Sequence, residues 1–139
     1  MHAHDDSTSD LLMTAARSMR RSFGEAMAAW DITPSQARAL RIVGELGSVR
    51  LSVLAERLRI APRSATEVVD ALEARSLVAR QPDPADRRAT SVVPTAEGTR
   101  LGEALEEARR TATEQRLAVL TAADRAELDR ILRLLVEQP

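Results

Sequence analysis

The chain has 139 residues, is 44% hydrophobic and 29% charged, and carries a formal net charge of −1 with no cysteine. Those values fit one soluble domain or a small subunit with long arms, and they leave any nucleic-acid binding to local charge. The absence of cysteine excludes disulfide frameworks, thiolate metal sites and thiol redox sensing; no apolar run reaches the roughly eighteen residues of a membrane span.

Residues 1–10 contain three Asp and no basic residue except His, and read as a disordered tail. His2, His4, Asp5 and Asp6 could bind a metal in principle, but a flexible end makes a weak site, so no metal and no cofactor is expected. The tail lacks both a basic n-region and an apolar core for export, which makes the cytoplasm the expected location. From Leu11 to Trp30 the apolar residues Leu12, Ala16, Met19, Phe23, Ala26 and Trp30 recur at steps of three and four, an amphipathic helix. Thr33-Pro34-Ser35-Gln36 then opens a second helix. Thr33 caps it, Pro34 takes the first position and Gln36 closes a capping box. Ala37, Leu40 and Val43 point inward, the helix ends at Gly47, and Ser48–Arg50 can add a short strand.

Leu51, Leu54, Ala55 and Leu58 mark a third helix, with Ser52 as a possible cap. Arg59-Ile60-Ala61 forms a turn. Pro62 suits the first position of a fourth helix, whose inner face is Ala65, Val68, Val69 and Leu72. Its outer face carries Arg63, Ser64, Thr66, Glu67 and Asp70. Leu77–Arg80 and Ser91–Val93 are strand-like. The Pro82, Asp83, Pro84 and Asp86 between them favour turns and place Arg87 and Arg88 in an exposed loop. The pattern is a helix-turn-helix followed by a two-stranded wing with a basic tip. Residues 50–91 hold eight Arg against six carboxylates, so the small basic excess falls on this unit. A second helix of such a pair enters the major groove of double-stranded DNA, led by its N-terminal residues. There Arg63 could read a guanine edge or a phosphate, and Ser64 and Thr66 could bond to either.

Thr95 starts a long helix with Leu101, Leu105, Ala108, Ala112 and Leu117 on its buried stripe. Thr121-Ala122-Ala123-Asp124 is another capping box. It opens a last helix whose apolar set is Leu128, Ile131, Leu132, Leu135 and Val136. These terminal helices exceed what one helix-turn-helix needs and read best as a dimerisation bundle. An enzyme is not expected: both histidines lie in the tail, Cys and Tyr are absent, and the five glycines are scattered.

Leu54-Ala55-Glu56-Arg57-Leu58, Pro62-Arg63-Ser64-Ala65-Thr66 and Val69-Asp70-x-Leu72-Glu73-x-Arg75 make the chain resemble winged-helix transcription regulators of the multiple antibiotic resistance regulator (MarR) family. The most specific element is Asp83-Pro84-x-Asp86-Arg87-Arg88, followed by Val93-x-Thr95-x-x-Gly98. The resemblance implies a homodimer on a pseudo-palindromic operator, usually a repressor released by a small molecule, often a phenolic or other aromatic anion. It also implies that Arg88 reaches a minor groove and that Asp86 braces the wing through an ion pair. The candidate DNA contacts are Ser52, Pro62, Arg63, Ser64, Thr66, Arg87 and Arg88. Met27 and Trp30 could line an effector pocket or could simply pack. Two departures stand out. Ala61 occupies a position where Ser is common, forgoing a cap worth roughly 1 kcal/mol. Glu67 and Asp70 put acid on the groove face, where Glu67 could accept from a cytosine amino group but is rather expected to pair with Arg63.

The resulting expectation is a mainly α chain with a small β-wing. A tail (1–10) precedes an N-terminal dimerisation helix (11–32), a winged helix-turn-helix (33–94) and C-terminal dimerisation helices (95–139). The alternative is a helical dimeric protein-interaction module that has lost specific DNA binding; salt-sensitive binding to DNA separates the two.

Overall fold

The structure, a computed structural model, describes residues 7–138. The first helix, α1 (Thr8–Met27), begins earlier than its apolar stripe suggests. The Ser7 side chain accepts the Asp10 backbone N–H at 3.2 Å and caps it. Residues 8–10, expected in the tail, are therefore helical, while His2, His4, Asp5 and Asp6 lie outside the described residues. After Met27 the chain tightens into a 3-10 turn, Ala28–Trp30, and Asp31 takes a left-handed φ of 49°.

The capping box at Thr33 forms as expected and opens α2 (Pro34–Leu46), with Gly47 at φ 72° closing it. Strand β1 (Val49–Arg50) runs directly into α3 (Leu51–Leu58). Because the strand leads straight into the helix, Arg50 stands at the cap position. Ser52 sits in the helix and caps nothing. The turn at Arg59 (φ 56°) leads to α4 (Pro62–Ala74), with Pro62 in the first turn and Ala61 at the cap without a side-chain bond. Strands β2 (Val78–Pro82) and β3 (Thr90–Pro94) follow. The sheet order is β1-β3-β2, antiparallel throughout, with Val92 opposite Val49 on one side and Arg80 on the other.

One core joins these elements. Leu40 and Val43 of α2 meet Leu54 and Leu58 of α3, Val69 and Leu72 of α4, and Leu77, Val78 and Val92 of the sheet. Each fully buried aliphatic side chain contributes about 2 kcal/mol by removal from water. The arms attach to this core through α5 (Ala96–Leu117). Thr95 caps α5 by accepting the Gly98 N–H, and its hydroxyl donates to the Ser76 carbonyl at 2.6 Å. Gly98 is required there. A Cβ at that position would stand 1.8 Å from the Leu77 carbonyl oxygen.

Helix α1 packs along α5, and α6 (Ala122–Val136) opens with the expected capping box at Thr121. Neither α1 nor α6 buries a single residue within the described chain. Leu11, Leu134 and Val136 are 57%, 60% and 81% exposed. No helix of the described residues is long and apolar enough to cross a membrane.

Candidate nucleic-acid interface

The turn between α3 and α4 is built from backbone bonds and one long side chain. Arg59 and Ile60 donate their N–H groups back to Glu56 and Ala55. The Arg57 and Leu58 carbonyls, left over at the helix end, accept from Arg38 of α2 at 2.9 and 3.2 Å. This fixes how α4 leaves the turn. Pro62 and Arg63 at its start are exposed and Ser64 is half-buried. Thr66 is also half-buried and turns its hydroxyl to the Pro62 carbonyl at 3.0 Å, leaving oxygen lone pairs for an outside donor.

The wing is held by Asp83 rather than by the expected Asp86. Asp83 is 9% exposed and accepts from Arg50 Nε and Nη2 at 3.0 and 3.3 Å. It also accepts from the Ser91 hydroxyl at 2.9 Å and from the Ala85 and Asp86 backbone N–H groups. The Arg50 bond, followed by those from Ser91 and the backbone, holds the Asp83 carboxyl far below the usual carboxylate range. Asp86 makes no ion pair among the described residues; it accepts the Arg88 N–H at 3.0 Å and shapes the tip. The physical reason is position: Asp83 follows β2 directly and faces Arg50 and Ser91 across the sheet, whereas Asp86 lies out in the loop. Arg87 and Arg88 are exposed.

A second clamp joins wing and recognition helix. Arg80 on β2 reaches Asp70 at 2.6 Å and Glu73 at 2.9 Å, and Glu73 also accepts the Arg80 backbone N–H. Burial opposes the Arg80 charge, but the bonds to Asp70 and Glu73 outweigh it and raise its pKa. Asp70 is thus turned to the wing root and away from the groove. The expected Arg63–Glu67 pair does not form; Glu67 joins no ion pair among the described residues.

These clamps sort the charges. Arg50 and Arg80 are neutralised by Asp83, Asp70 and Glu73, and Arg75 spends its guanidinium on the Trp30 and Asp31 carbonyls. Arg57, Arg59, Arg63, Arg87 and Arg88 form no ion pair among the described residues. On this face the arginines left without a carboxylate partner thus gather at the turn, the start of α4 and the wing tip. Residue counting missed Asp83, Arg50, Arg80 and Arg38. A usable signal existed for Arg80, since Asp70 and Glu73 lie three apart on the helix that packs beside its strand.

On the arm side, a cavity of about 270 Å³ lies between α1, α2 and α5. Phe23, Met27, Ala37 and Leu105 give it apolar walls, and Gly24 and Gly102 leave it room. Arg20, Arg38, Arg41 and Arg109 stand around it with Glu106 as the single acid. The Arg109 guanidinium lies 4.8 Å from the Phe23 ring centre. Burial, and then the neighbouring Arg41, lower the Arg109 pKa. Met27 lines this cavity. Trp30 does not. It faces an open groove on the other side of α1, with Ala26, Ala108 and Ala112. Trp30 continues the row of Ser22 and Ala26 at steps of four, whereas Met27 belongs to the row of Arg20, Phe23 and Gly24 on the other side of the helix.

Three helices on a three-stranded wing, with an exposed helix start and a basic loop, define a winged helix-turn-helix. The MarR family model matches residues 32–90. An uncharacterized HTH-type transcriptional regulator of Mycobacterium bovis, Mb0904, is 33% identical over 112 residues, 78% of each chain. The chain belongs to the MarR family. It is also 35% identical over 74 residues to the HTH-type transcriptional repressor MdtR of Bacillus subtilis, covering 53% of this chain. That match spans about half the length of the relative, 48%. Among solved structures, apo MarR of E. coli superposes with a TM-score of 0.84 at 22% identity, covering 93% of this chain and 96% of that one. NadR in complex with 4-hydroxyphenylacetate superposes at 0.75 with 25% identity, covering 100% and 99%. The curated relatives are transcription regulators and not enzymes.

Proposed function

We propose that the chain is a homodimeric, sequence-specific DNA-binding transcription regulator, a repressor that occupies a pseudo-palindromic operator and leaves it when a small aromatic anion binds. The observation that carries this is the charge sorting on the reading face. Structural arginines are paired, while those at the turn, the start of α4 and the wing tip are not. Arg63, Ser64 and Thr66 of α4 enter the major groove; Arg87 and Arg88 reach the flanking backbone and minor groove. Asp70, which might have spoken for a non-binding interaction module, is taken up by Arg80.

The dimer reading rests on α1 and α6. A helix with Ile131, Leu132 and Leu135 36–50% exposed and no buried residue is not a finished intramolecular bundle. A second copy supplies the missing face, and a two-fold protein suits half-sites one turn apart. The effector reading rests on the cavity: apolar walls and a surplus of arginine suit an aromatic ring bearing a carboxylate. The NadR complex with 4-hydroxyphenylacetate supports that chemistry. DNA binding of this kind belongs in the cytoplasm.

Fluorescence anisotropy on the gene's own upstream DNA and on a scrambled duplex, across a salt series, tests the reading. Tight binding to the native fragment and weak, steeply salt-dependent binding to the scrambled one is expected. No binding to either at low salt refutes it. Addition of 4-hydroxyphenylacetate should lower the affinity for the native fragment.

A further inference from the structure

Arg38 belongs to two places at once. It lines the arm-side cavity, and its guanidinium donates to the Arg57 and Leu58 carbonyls at the end of α3. Those two carbonyls have no other hydrogen-bond donor among the described residues. The helix end they form is followed by the left-handed Arg59 and then by the start of α4. One side chain thus connects the cavity wall to the turn that aims the recognition helix.

The geometry points to Arg38 as the positioning residue that transmits cavity occupancy to α4: a carboxylate in the cavity takes over the guanidinium edge that now holds the end of α3. This rests on the reading of the cavity as an effector site. Arg41 lies one helical turn beyond Arg38 on α2, and both line the cavity with Arg109. None of these three forms an ion pair among the described residues, and Glu106 is the single acid on the wall, so an entering anion meets a surplus of positive charge. The bonds Arg38 now makes go to neutral carbonyls. Those bonds are charge-assisted on the donor side only, whereas a carboxylate adds an opposite charge and two oxygens that match the guanidinium fork. An anion held by Arg41 and Arg109 therefore competes for the Arg38 fork. When it wins, the last carbonyls of α3 lose their donors and the turn loses its tie to α2. The ligand then binds the untied geometry better than the tied one, which is what coupling to DNA release requires.

The test uses the full chain, benzoate as the probe and a duplex selected by the protein from a random pool. Wild type, Arg38→Gln and Arg38→Lys are compared by anisotropy with and without saturating benzoate. Benzoate binding is followed separately by calorimetry, and thermal melts check folding. In wild type, benzoate should weaken DNA binding about 5- to 150-fold, the usual range of such coupling. R38Q should bind DNA, without benzoate, about as weakly as benzoate-saturated wild type. It should still take up benzoate through Arg41 and Arg109, with less than about a twofold further effect on DNA. R38K, which can return one donor to α3, should lie between.

An R38Q that keeps wild-type affinity, or keeps the full benzoate response, overturns the role of Arg38 while leaving the effector site standing. A wild type that takes up no benzoate overturns the effector reading of the cavity and this inference with it. If R38Q does not fold, the intermediate R38K decides: an undiminished benzoate response there counts against the inference, and a diminished one supports it.

Discussion

Arg88→Ala removes one exposed guanidinium from each wing tip, two in the proposed dimer. The Arg88 side chain has no carboxylate partner among the described residues, so its loss leaves no buried charge behind and should not change folding. Each phosphate neutralised contributes about −0.9 to the slope of log K against log salt. Two lost contacts should flatten that slope by about 1.8 and, at 0.15 M salt, weaken binding on the order of 30-fold. The unpaired set Arg57, Arg59, Arg63, Arg87 and Arg88 bounds the total: if all ten guanidiniums of a dimer met phosphates, the slope would be about −9. Anisotropy titrations at five salt concentrations measure both quantities. Arg110→Ala, which removes an exposed arginine of α5 paired with Glu107, should leave the slope unchanged. A wild-type slope retained by R88A, or the same flattening in R110A, would refute the assignment of Arg88 to the DNA surface.

Three further outcomes follow from the packing. Asp83→Asn should lower stability and DNA affinity at neutral pH. Because the folded-state pKa of Asp83 is depressed, its stabilisation is present above the unfolded pKa of about 4 and fades as pH falls through the lower folded value. The stability gap between wild type and D83N, read from melts between pH 7 and pH 2, should therefore close on the acid side; a constant gap contradicts the ion-pair origin. Gly98→Ala forces a methyl into the Leu77 carbonyl and should cost about 1–3 kcal/mol or more in urea unfolding, whereas Gly102→Ala, with open space at its Cβ, should be tolerated. Leu132→Glu together with Leu135→Glu should shift the protein to monomer in analytical ultracentrifugation and reduce DNA affinity; a dimer that persists contradicts the use of α6 as an interface.

The helices were legible because their caps are local. Thr33 and Thr121 each show a hydroxyl residue followed by a partner three residues on, and each forms the expected capping box, while Thr95 starts α5 as expected. Ser7 and Asp10 carry a similar cap at the start of α1, but an acidic, polar surrounding disguised it as tail. The wing hairpin was legible from its prolines and aspartates. What stayed hidden were the tertiary partners. Asp83 and Asp86 look alike in sequence, and only the fold brings Arg50 and Ser91 to one of them. Of the two acids on the groove face, Glu67 and Asp70, only the fold shows that Arg80 of β2 takes up Asp70. Met27 lines the cavity while Trp30 lies on another row of α1, and Arg38, Arg41 and Arg109 come together from two helices far apart in the chain.

The contact of Gly98 with the Leu77 carbonyl has a mechanical consequence. Backbone meets backbone there, with no side chain between to absorb movement, so α5 meets the wing sheet at a fulcrum. Its 22 residues make a lever about 33 Å long at 1.5 Å per residue. A tilt of about 10° at the fulcrum would sweep the far end through about 6 Å, more than one turn of an α-helix. A small change of tilt where α5 meets the sheet is thereby magnified at the far end of the helix.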